Sequence, residues 1–413
     1  MRAAVESSAY VGGPCDDRSV VTAVLVHDLT LPSVELPAAT EQLRAQVREF
    51  LAKERAQGGF VPKCDVWLSG WDERFSQALG SRGWLGMTLP TEYGGHGRSA
   101  LDRYVVTEEL LAAGAPVAAH WVADRQVGPS LLRFGTEAQK KRYLPRIAAG
   151  ECYFGIGMSE PDSGSDLASV RTKAVRVDGG WRLSGTKVWT SGAHHAHAFF
   201  VLARSAPVQD GDRHTGLSQF IVELDSPGVT INPIRLLTGA HHFNEVVLNE
   251  VFVPDELVLG EIGAGWHQVT SELSFERSGP ERFLSTFPLL VALVGELSSS
   301  NPERLGEAGL RELGSLVSRV WTLRRLSLGI AGLLEAGASA DVAAALVKDL
   351  GTRYENEVID AARLLVTIPP DQDSESDFAR LLAEAILHAP GFTLRGGTNE
   401  ILRGVVARGL GLR

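Results

Sequence analysis

The chain has 413 residues, 44% of them hydrophobic and 22% charged, and a net charge of −10. That composition belongs to a folded protein with room for two or three structural units around a sizeable core. The acidic balance argues against nucleic acid as a partner, and no apolar run is long enough to span a bilayer.

The three cysteines, Cys15, Cys64 and Cys152, have neither redox nor zinc spacing, which fits reduced thiols in a cytoplasmic protein. The apolar stretch 19–26 is short and lacks a basic lead and a small-residue cleavage site, so it does not read as a signal peptide.

Residues 1–35 show no sustained period and contain Gly12-Gly13-Pro14, so they read as a poorly ordered extension. From about Thr40 the pattern is helical, with Leu43, Val47, Phe50 and Leu51 on one face. Further helices are expected over 71–79 and 101–113, separated by a Gly- and Pro-rich loop at 88–98. Thr136 and Gln139 have the spacing of a capping box that opens a helix, and Gly150 is suited to end it.

The period then shortens to two. Residues 171–177 and 181–188 alternate around Asp178-Gly179, a hairpin signal, and 198–203, 217–224 and 245–252 read as further strands. From Trp266 the helical period returns, through 289–297, 310–334, 343–365 and 378–387. The order predicts an α+β chain: an extension at 1–35, an N-terminal helical domain at 36–154, a β-domain at 155–265 and a C-terminal helical domain at 266–413.

Two segments carry chemistry together. Met158-Ser159-Glu160-Pro161-Asp162-Ser163-Gly164-Ser165-Asp166 offers hydroxyls and N–H groups on a stiffened turn. Gly185-Thr186-Lys187-Val188-Trp189-Thr190-Ser191-Gly192 ends a strand on a tryptophan and two hydroxyls. A third segment, Gly396-Gly397-Thr398-Asn399-Glu400-Ile401-Leu402-Arg403, has the glycines and threonine of an anion-binding helix start.

In type, order and spacing these segments resemble the acyl-CoA dehydrogenase family, and the resemblance extends over residues 40–413. It implies an N-terminal helical domain, a middle β-barrel-like domain and a C-terminal four-helix bundle. It also implies FAD-dependent α,β-desaturation of an acyl thioester, carried on coenzyme A or an acyl-carrier protein. An α-proton goes to a glutamate and a β-hydride to flavin N5. By the resemblance, Met158, Ser159, Trp189, Thr190 and Ser191 meet the isoalloxazine, Thr398 and Glu400 contact the cofactor, and Ser165 faces the pantetheine arm. An electron-transfer flavoprotein is the implied acceptor, and a dimer, a tetramer or a heteromer with a related subunit the implied assembly.

Three departures stand out. Gly396 occupies the position where the medium- and short-chain branches carry their catalytic glutamate. Its N–H remains able to donate to the thioester oxygen. The isovaleryl and long-chain branches use an internal Glu-Arg pair instead, and Glu276-Arg277 resembles it, which makes Glu276 the expected base and Arg277 its neighbour at the substrate. Pro280 follows closely and should end or kink the helix there, because its ring clashes with the carbonyl of Glu276. The Arg-x-x-Phe-Gly and Gln-x-x-Gly-Gly segments that help bind a neighbouring subunit's FAD have no recognisable counterpart; Arg304, Arg311, Arg319, Arg324 and Arg325 could substitute for the first, the alternative being that most are surface charges. These departures keep two alternatives in view: a non-catalytic or half-competent subunit of a heteromer, and a flavin monooxygenase on the same fold. His194, His195 and His197 lack a nearby carboxylate or thiol and read as a loop with no metal, and His241-His242 reads the same way.

Overall fold

The computed structural model describes residues 30–208, 212–277, 279–299 and 305–412, and of residues 272–277 only the backbone. The N-terminal helices are α1 (Ala38–Ala56), α2 (Val66–Ser69), α3 (Glu73–Gly80), α4 (Ala100–Ala112), α5 (Ala118–Val122), α6 (Gly128–Phe134) and α7 (Glu137–Ala148). A single π turn, Ala123–Val127, joins α5 to α6. The face expected on α1 is the one buried: Leu43, Val47, Phe50 and Leu51 are all inside. Thr136 and Gln139 form the expected capping box, each side chain bonded to the other's backbone. Gly150 then takes the left-handed conformation (φ 73°) that closes α7.

The extension read at 1–35 lies outside the described residues as far as position 29. Beyond it, Leu31, Pro32 and Val34 cross a long C-terminal helix at Gly329 and Gly332, where the missing side chains admit them.

The middle of the chain is one eight-stranded sheet: β1 (Phe154–Gly157), β2 (Lys173–Val177), β3 (Gly180–Ser191), β4 (Ala198–Arg204), β5 (Leu217–Glu223), β6 (Val229–Arg235), β7 (His241–Pro254) and β8 (Val258–Leu259). The path runs β6-β7-β3-β2-β4-β5-β8, with β1 parallel to β4. The β2–β3 hairpin turns at Asp178-Gly179, as its sequence predicts. One sheet face packs with α5, α6 and α7: Leu131, Tyr143 and Leu144 share a core with Phe154, Phe199 and Phe220. Each such side chain contributes about 1.5–3 kcal/mol on burial.

The C-terminal helices are α8 (Gly265–Arg277), α9 (Phe287–Ser299), α10 (Gly306–Glu335), α11 (Asp341–Leu365), α12 (Asp377–Phe392) and α13 (Asn399–Gly409). Their core is continuous with that of the N-terminal helices: Leu43, Phe50 and Trp67 belong to the same cluster as Leu290, Tyr354 and Phe378. The sheet therefore sits in the middle of the chain while the two helical segments close on each other. No described helix is long and apolar enough to cross a membrane.

A buried ion network pins the two helical segments. Glu108 on α4 accepts from Arg44 on α1 (2.7 Å) and from Arg324 on α10 (2.7 Å), and Glu109 binds Arg44 and Arg48. Arg44, Glu108 and Glu109 are nearly solvent-free. Glu108→Gln should therefore take the carboxylate from Arg324 and leave Arg44 to Glu109 and Glu41, destabilising the chain by up to about 3 kcal/mol. Denaturant titration against the parent chain checks this, and an unchanged midpoint would mean that the network is energetically neutral.

Candidate active site

The loop that follows β1 is fastened to β3 from inside. Glu160 is buried, and its carboxylate accepts from Lys187 Nζ (2.9 Å), from the Thr172 N–H (2.9 Å) and from the Arg171 N–H (2.6 Å). Lys187, itself fully buried, also donates to the Met158 carbonyl (3.1 Å). Burial alone would raise the Glu160 carboxyl, but the Lys187 ammonium and these N–H donors outweigh it and hold the group below its ordinary range. The same burial pulls Lys187 down to about 8, with Glu160 opposing the shift. The Val188 N–H donates to the Ser159 carbonyl (2.9 Å). Met158 and Ser159 are thereby set directly beside Trp189.

Trp189 is held in an unusual state. It sits at the register break between β3 and β7 with φ 62°, and its indole is 55% exposed. A bulky residue in the left-handed region costs on the order of 1–3 kcal/mol and persists only where its surroundings fix it. Phe243 on β7 meets it edge-on at 5.7 Å. Alternation then turns Thr190 inward, fully buried, and leaves Ser191 half-exposed. The Thr190 hydroxyl is buried without a partner, while its carbonyl accepts from the Asn244 amide (3.0 Å). Ser165, at the outer end of the loop, is exposed. An open indole face beside half-buried Met158, Ser159 and Ser191 fits a planar, hydrogen-bonding heterocycle such as a flavin.

The C-terminal segment forms the opposite group. Gly396 and Gly397 are both left-handed (φ 67° and 84°). A Cβ built on Gly396 would lie 2.9 Å from Arg282 Nη1, so a side chain here would be strained in its backbone and crowded by a buried guanidinium. Thr398 caps α13, its hydroxyl accepting from the Ile401 N–H (3.4 Å). Glu400 is exposed in the first turn, and hydrogen bonds from its own N–H and from the Thr398 hydroxyl keep its carboxyl below the usual range. The preceding residue, Arg395, pairs with buried Asp65, which also meets His388. Trp67 lies between Arg395 (4.4 Å) and Arg282 (4.9 Å), and its N–H donates to the Ser285 hydroxyl (3.3 Å). Ser285 in turn donates its N–H to Glu355 (2.8 Å), whose burial raises its carboxyl to about 7.

Helix α8 ends at Arg277, and Pro280 opens a separate 3₁₀ turn, Pro280–Arg282, in keeping with the break expected there. Glu276 and Arg277 are the last two residues of α8, and their side chains lie outside the described residues. A second Glu-Arg pair, Glu281-Arg282, went unnoticed in the sequence. Both side chains are buried, and Glu281 is paired with Arg125 on the π turn (3.3 Å). Glu160, Lys187 and Asn244 were also missed as site-forming residues; the only available signal was that each falls inside or beside a recognised segment.

The proposed cofactor arginines are occupied within the chain: Arg311 with Glu307, Arg319 with Glu357, Arg324 with Glu108 and Arg325 with Ser33. Arg304 lies outside the described residues. The histidines form a stack, His194 against His241 (3.7 Å) and His195 (4.0 Å), bridged by Asn244. Among the described residues no three metal-binding side chains converge as a metal site. Burial drives His242 down to about 3, in the field of Asp65, His388 and Arg395, which brings the start of β7 to the C-terminal segment.

Comparison with known proteins agrees with this geometry. Residues 37–151 match the model of the acyl-CoA dehydrogenase N-terminal domain, and residues 155–251 that of the middle domain. The acyl-CoA dehydrogenase FadE29 of Mycobacterium tuberculosis (strain ATCC 25618 / H37Rv) is 33% identical over 393 residues, covering 91% of this chain and 97% of that one. FadE34 of the same organism is 35% identical over 82% of this chain, which spans 46% of its length. Two solved structures share the fold: the Tcur3481-Tcur3483 steroid ACAD (TM-score 0.79, 31% identity, 92% of this chain and 98% of that one) and the ChsE4-ChsE5 complex from Mycobacterium tuberculosis (0.78, 28%, 92% and 99%).

Two outcomes are expected from the buried groups. Lys187→Met should strand the Glu160 carboxylate, loosen the 158–166 loop and lower both the melting temperature and the FAD retained after gel filtration; full retention would detach the ion pair from the cofactor wall. Stability should also fall as pH drops from about 6.5 towards 4. Burial holds His120 near 4 and His242 near 3, so the unfolded chain binds the extra protons across that window. His242→Leu should flatten that acid limb in melting curves recorded between pH 7 and 5.

Proposed function

The chain belongs to the acyl-CoA dehydrogenase family, and we propose that it desaturates an acyl thioester with Glu276 as the base for the α-proton. It is an oxidoreductase acting on CH–CH bonds. The family is FAD-dependent, and FAD, when bound, accepts the β-hydride. The observation that carries this reading is the joined wall: Met158 and Ser159 tied to Lys187 and Val188, with the Trp189 indole left open beside them.

A thioester α-proton is a weak acid, so two contributions are needed. A positioned base is worth ~10²–10⁴-fold, and donors aimed at the developing enolate oxygen add to it. Gly396 offers the second through its N–H and has no carboxyl for the first. Arg282 crowds the space that a side chain at 396 would enter, which favours a base from elsewhere in the chain. Of the two Glu-Arg pairs that flank the break at Pro280, Glu281 is engaged by Arg125 in the interior, which makes Glu276, at the end of α8, the nominee. Met158, Ser159, Trp189 and Ser191 would hold the isoalloxazine, Ser165 and Arg277 would face the substrate, and Thr398 and Glu400 would meet the rest of the cofactor. An electron-transfer flavoprotein would take the electrons onward.

A second reading concerns assembly. Arg324 is held by the buried Glu108, and the Arg-x-x-Phe-Gly and Gln-x-x-Gly-Gly segments have no recognisable counterpart, so the ADP half of FAD would draw part of its contacts from a second polypeptide. The ChsE4-ChsE5 structure is a complex of two such chains, and the relation to a steroid ACAD makes polycyclic acyl thioesters the first to include in a substrate panel.

Glu276→Gln should keep bound FAD and slow its anaerobic reduction by acyl-CoA by about two or more orders of magnitude. An undiminished rate would remove Glu276 from the chemistry, and the parallel variant Glu281→Gln would test the other pair. The visible spectrum of the chain expressed alone separates the assemblies: a yellow protein bleached by one thioester is self-sufficient, whereas a colourless one that gains FAD only with a partner chain is a heteromer subunit.

A further inference from the structure

Lys348, in the middle of α11, is fully buried. Its ammonium has three N–H donors, and three oxygens of the C-terminal turn receive them: the Gly397 carbonyl (2.8 Å), the Asn399 Oδ1 (2.8 Å) and the Thr393 carbonyl (3.4 Å). The turn between α12 and α13 is thus gathered onto one cation. The Thr393 carbonyl also receives the Asn399 N–H (3.1 Å), which closes the loop on itself. Asn399 is bonded in turn to Thr352, one helical turn along α11 from Lys348.

We propose that Lys348 is a positioning residue for the desaturation: it fixes the Gly396-Gly397 turn so that the Gly396 N–H is aimed at the thioester oxygen. This rests on the reading of Gly396 as an oxyanion donor given above.

The physical case has three parts. A buried ammonium is costly unless its protons are used, and here they make charge-assisted bonds to the turn, which are about twice as strong as neutral ones. Two successive glycines in left-handed conformation have little intrinsic preference for that shape, so an outside constraint must select it. The three acceptors are also not equally dependent on Lys348. Thr393 keeps the Asn399 N–H and Asn399 keeps Thr352, whereas the carbonyl of Gly397, the residue after Gly396, loses its ammonium. Removing the cation should therefore disturb the turn at the catalytic glycine more than elsewhere. An oxyanion donor acts through placement, and a misplacement of about 1 Å can cost on the order of 10²-fold in rate.

Asp349, the next residue, provides the control. It ties α13 to α11 through Arg403 (3.1 Å) without touching the turn. Lys348→Met, Lys348→Arg and Asp349→Asn would be compared with the parent protein in its FAD-loaded, assembled form. Three quantities would be read: amide hydrogen exchange over 393–399, FAD content, and anaerobic reduction by the acyl-CoA that reduces the parent. A fourth is the long-wavelength band formed with the 3-thia analogue of that thioester, which can lose its α-proton but reports no turnover.

Lys348→Met should exchange faster at 393–399, keep its FAD, lose at least tenfold in kcat with little change in KM, and lose the thia-analogue band. Lys348→Arg should recover part of each. Asp349→Asn should lower the melting temperature alone. Unchanged exchange in Lys348→Met would overturn the clamp, and faster exchange with unchanged kcat and band would overturn the positioning role. A parent protein that no acyl-CoA reduces, together with faster exchange in the variant, would leave the clamp standing and sink the desaturation reading instead.

Discussion

The ion pair between Glu160 and Lys187 is the constraint on which the joining of the 158–166 loop to β3 depends. A carboxylate and an ammonium removed from water attract strongly, but each has lost its hydration, and the balance is favourable only when the remaining lone pairs and protons are used. Here they are used by backbone. Glu160 takes the N–H groups of Arg171 and Thr172, and Lys187 gives a bond to Met158. The pair therefore organises three stretches of main chain, and their common product is the juxtaposition of the 158–166 loop with β3. The strained backbone at Trp189 lies within β3 between Val188, bonded to Ser159, and Thr190, bonded to Asn244, which is where a conformation costing about a kcal/mol or more can be maintained.

The C-terminal site uses the same device with a different partner. Lys348 is buried and bonded to two carbonyl oxygens and an amide oxygen of the C-terminal turn. Around it, Arg282, Arg395 and Arg125 are balanced by Glu281 and Asp65, with Trp67 and Trp121 stacked on the guanidiniums. This interior is more polar than an ordinary helical core. Several of its atoms, Asp65 Oδ1, Glu355 Oε2 and Arg395 Nε among them, are buried without a protein partner. Such groups are uncommon in folded proteins and cluster at working sites. Of these, Arg395 directly precedes Gly396 and carries Asp65 to it through their ion pair.

Much of the fold was legible because its signals are local. The capping box at Thr136 and Gln139, the hairpin at Asp178-Gly179 and the stop at Gly150 each depend on residues within a few positions of one another. The break after Arg277 was legible for the same reason, since Pro280 disrupts its own preceding turn. The strands β1, β6 and β8 were not. β1 is four residues that alternate poorly, β8 is two, and β6 alternates but is mostly exposed and carries Pro233. The 158–166 loop and the end of β3 could be picked out from their motif, whereas the burial of Thr190 and the exposure of Trp189 depend on the register break with β7. Lys187 and Lys348 were invisible for a more general reason. A lysine in a strand or helix is nearly always solvated, and only the contacts it makes across tens of residues reveal that it is buried.

The same reasoning bears on how the chain completes its cofactor site. Of its arginines on α10, Arg324 is drawn inward to Glu108, while Arg311, Arg319 and Arg325 are held at the surface by exposed partners of little energetic weight. A guanidinium already satisfied by a buried carboxylate cannot be recruited to a diphosphate without breaking that bond, and Glu108 is shared between two arginines, so withdrawing Arg324 would leave a partly neutralised carboxylate in the interior. Arg324 is therefore committed to bracing α10 against α4, and any cation offered to a cofactor from this helix has to come from the arginines at its surface.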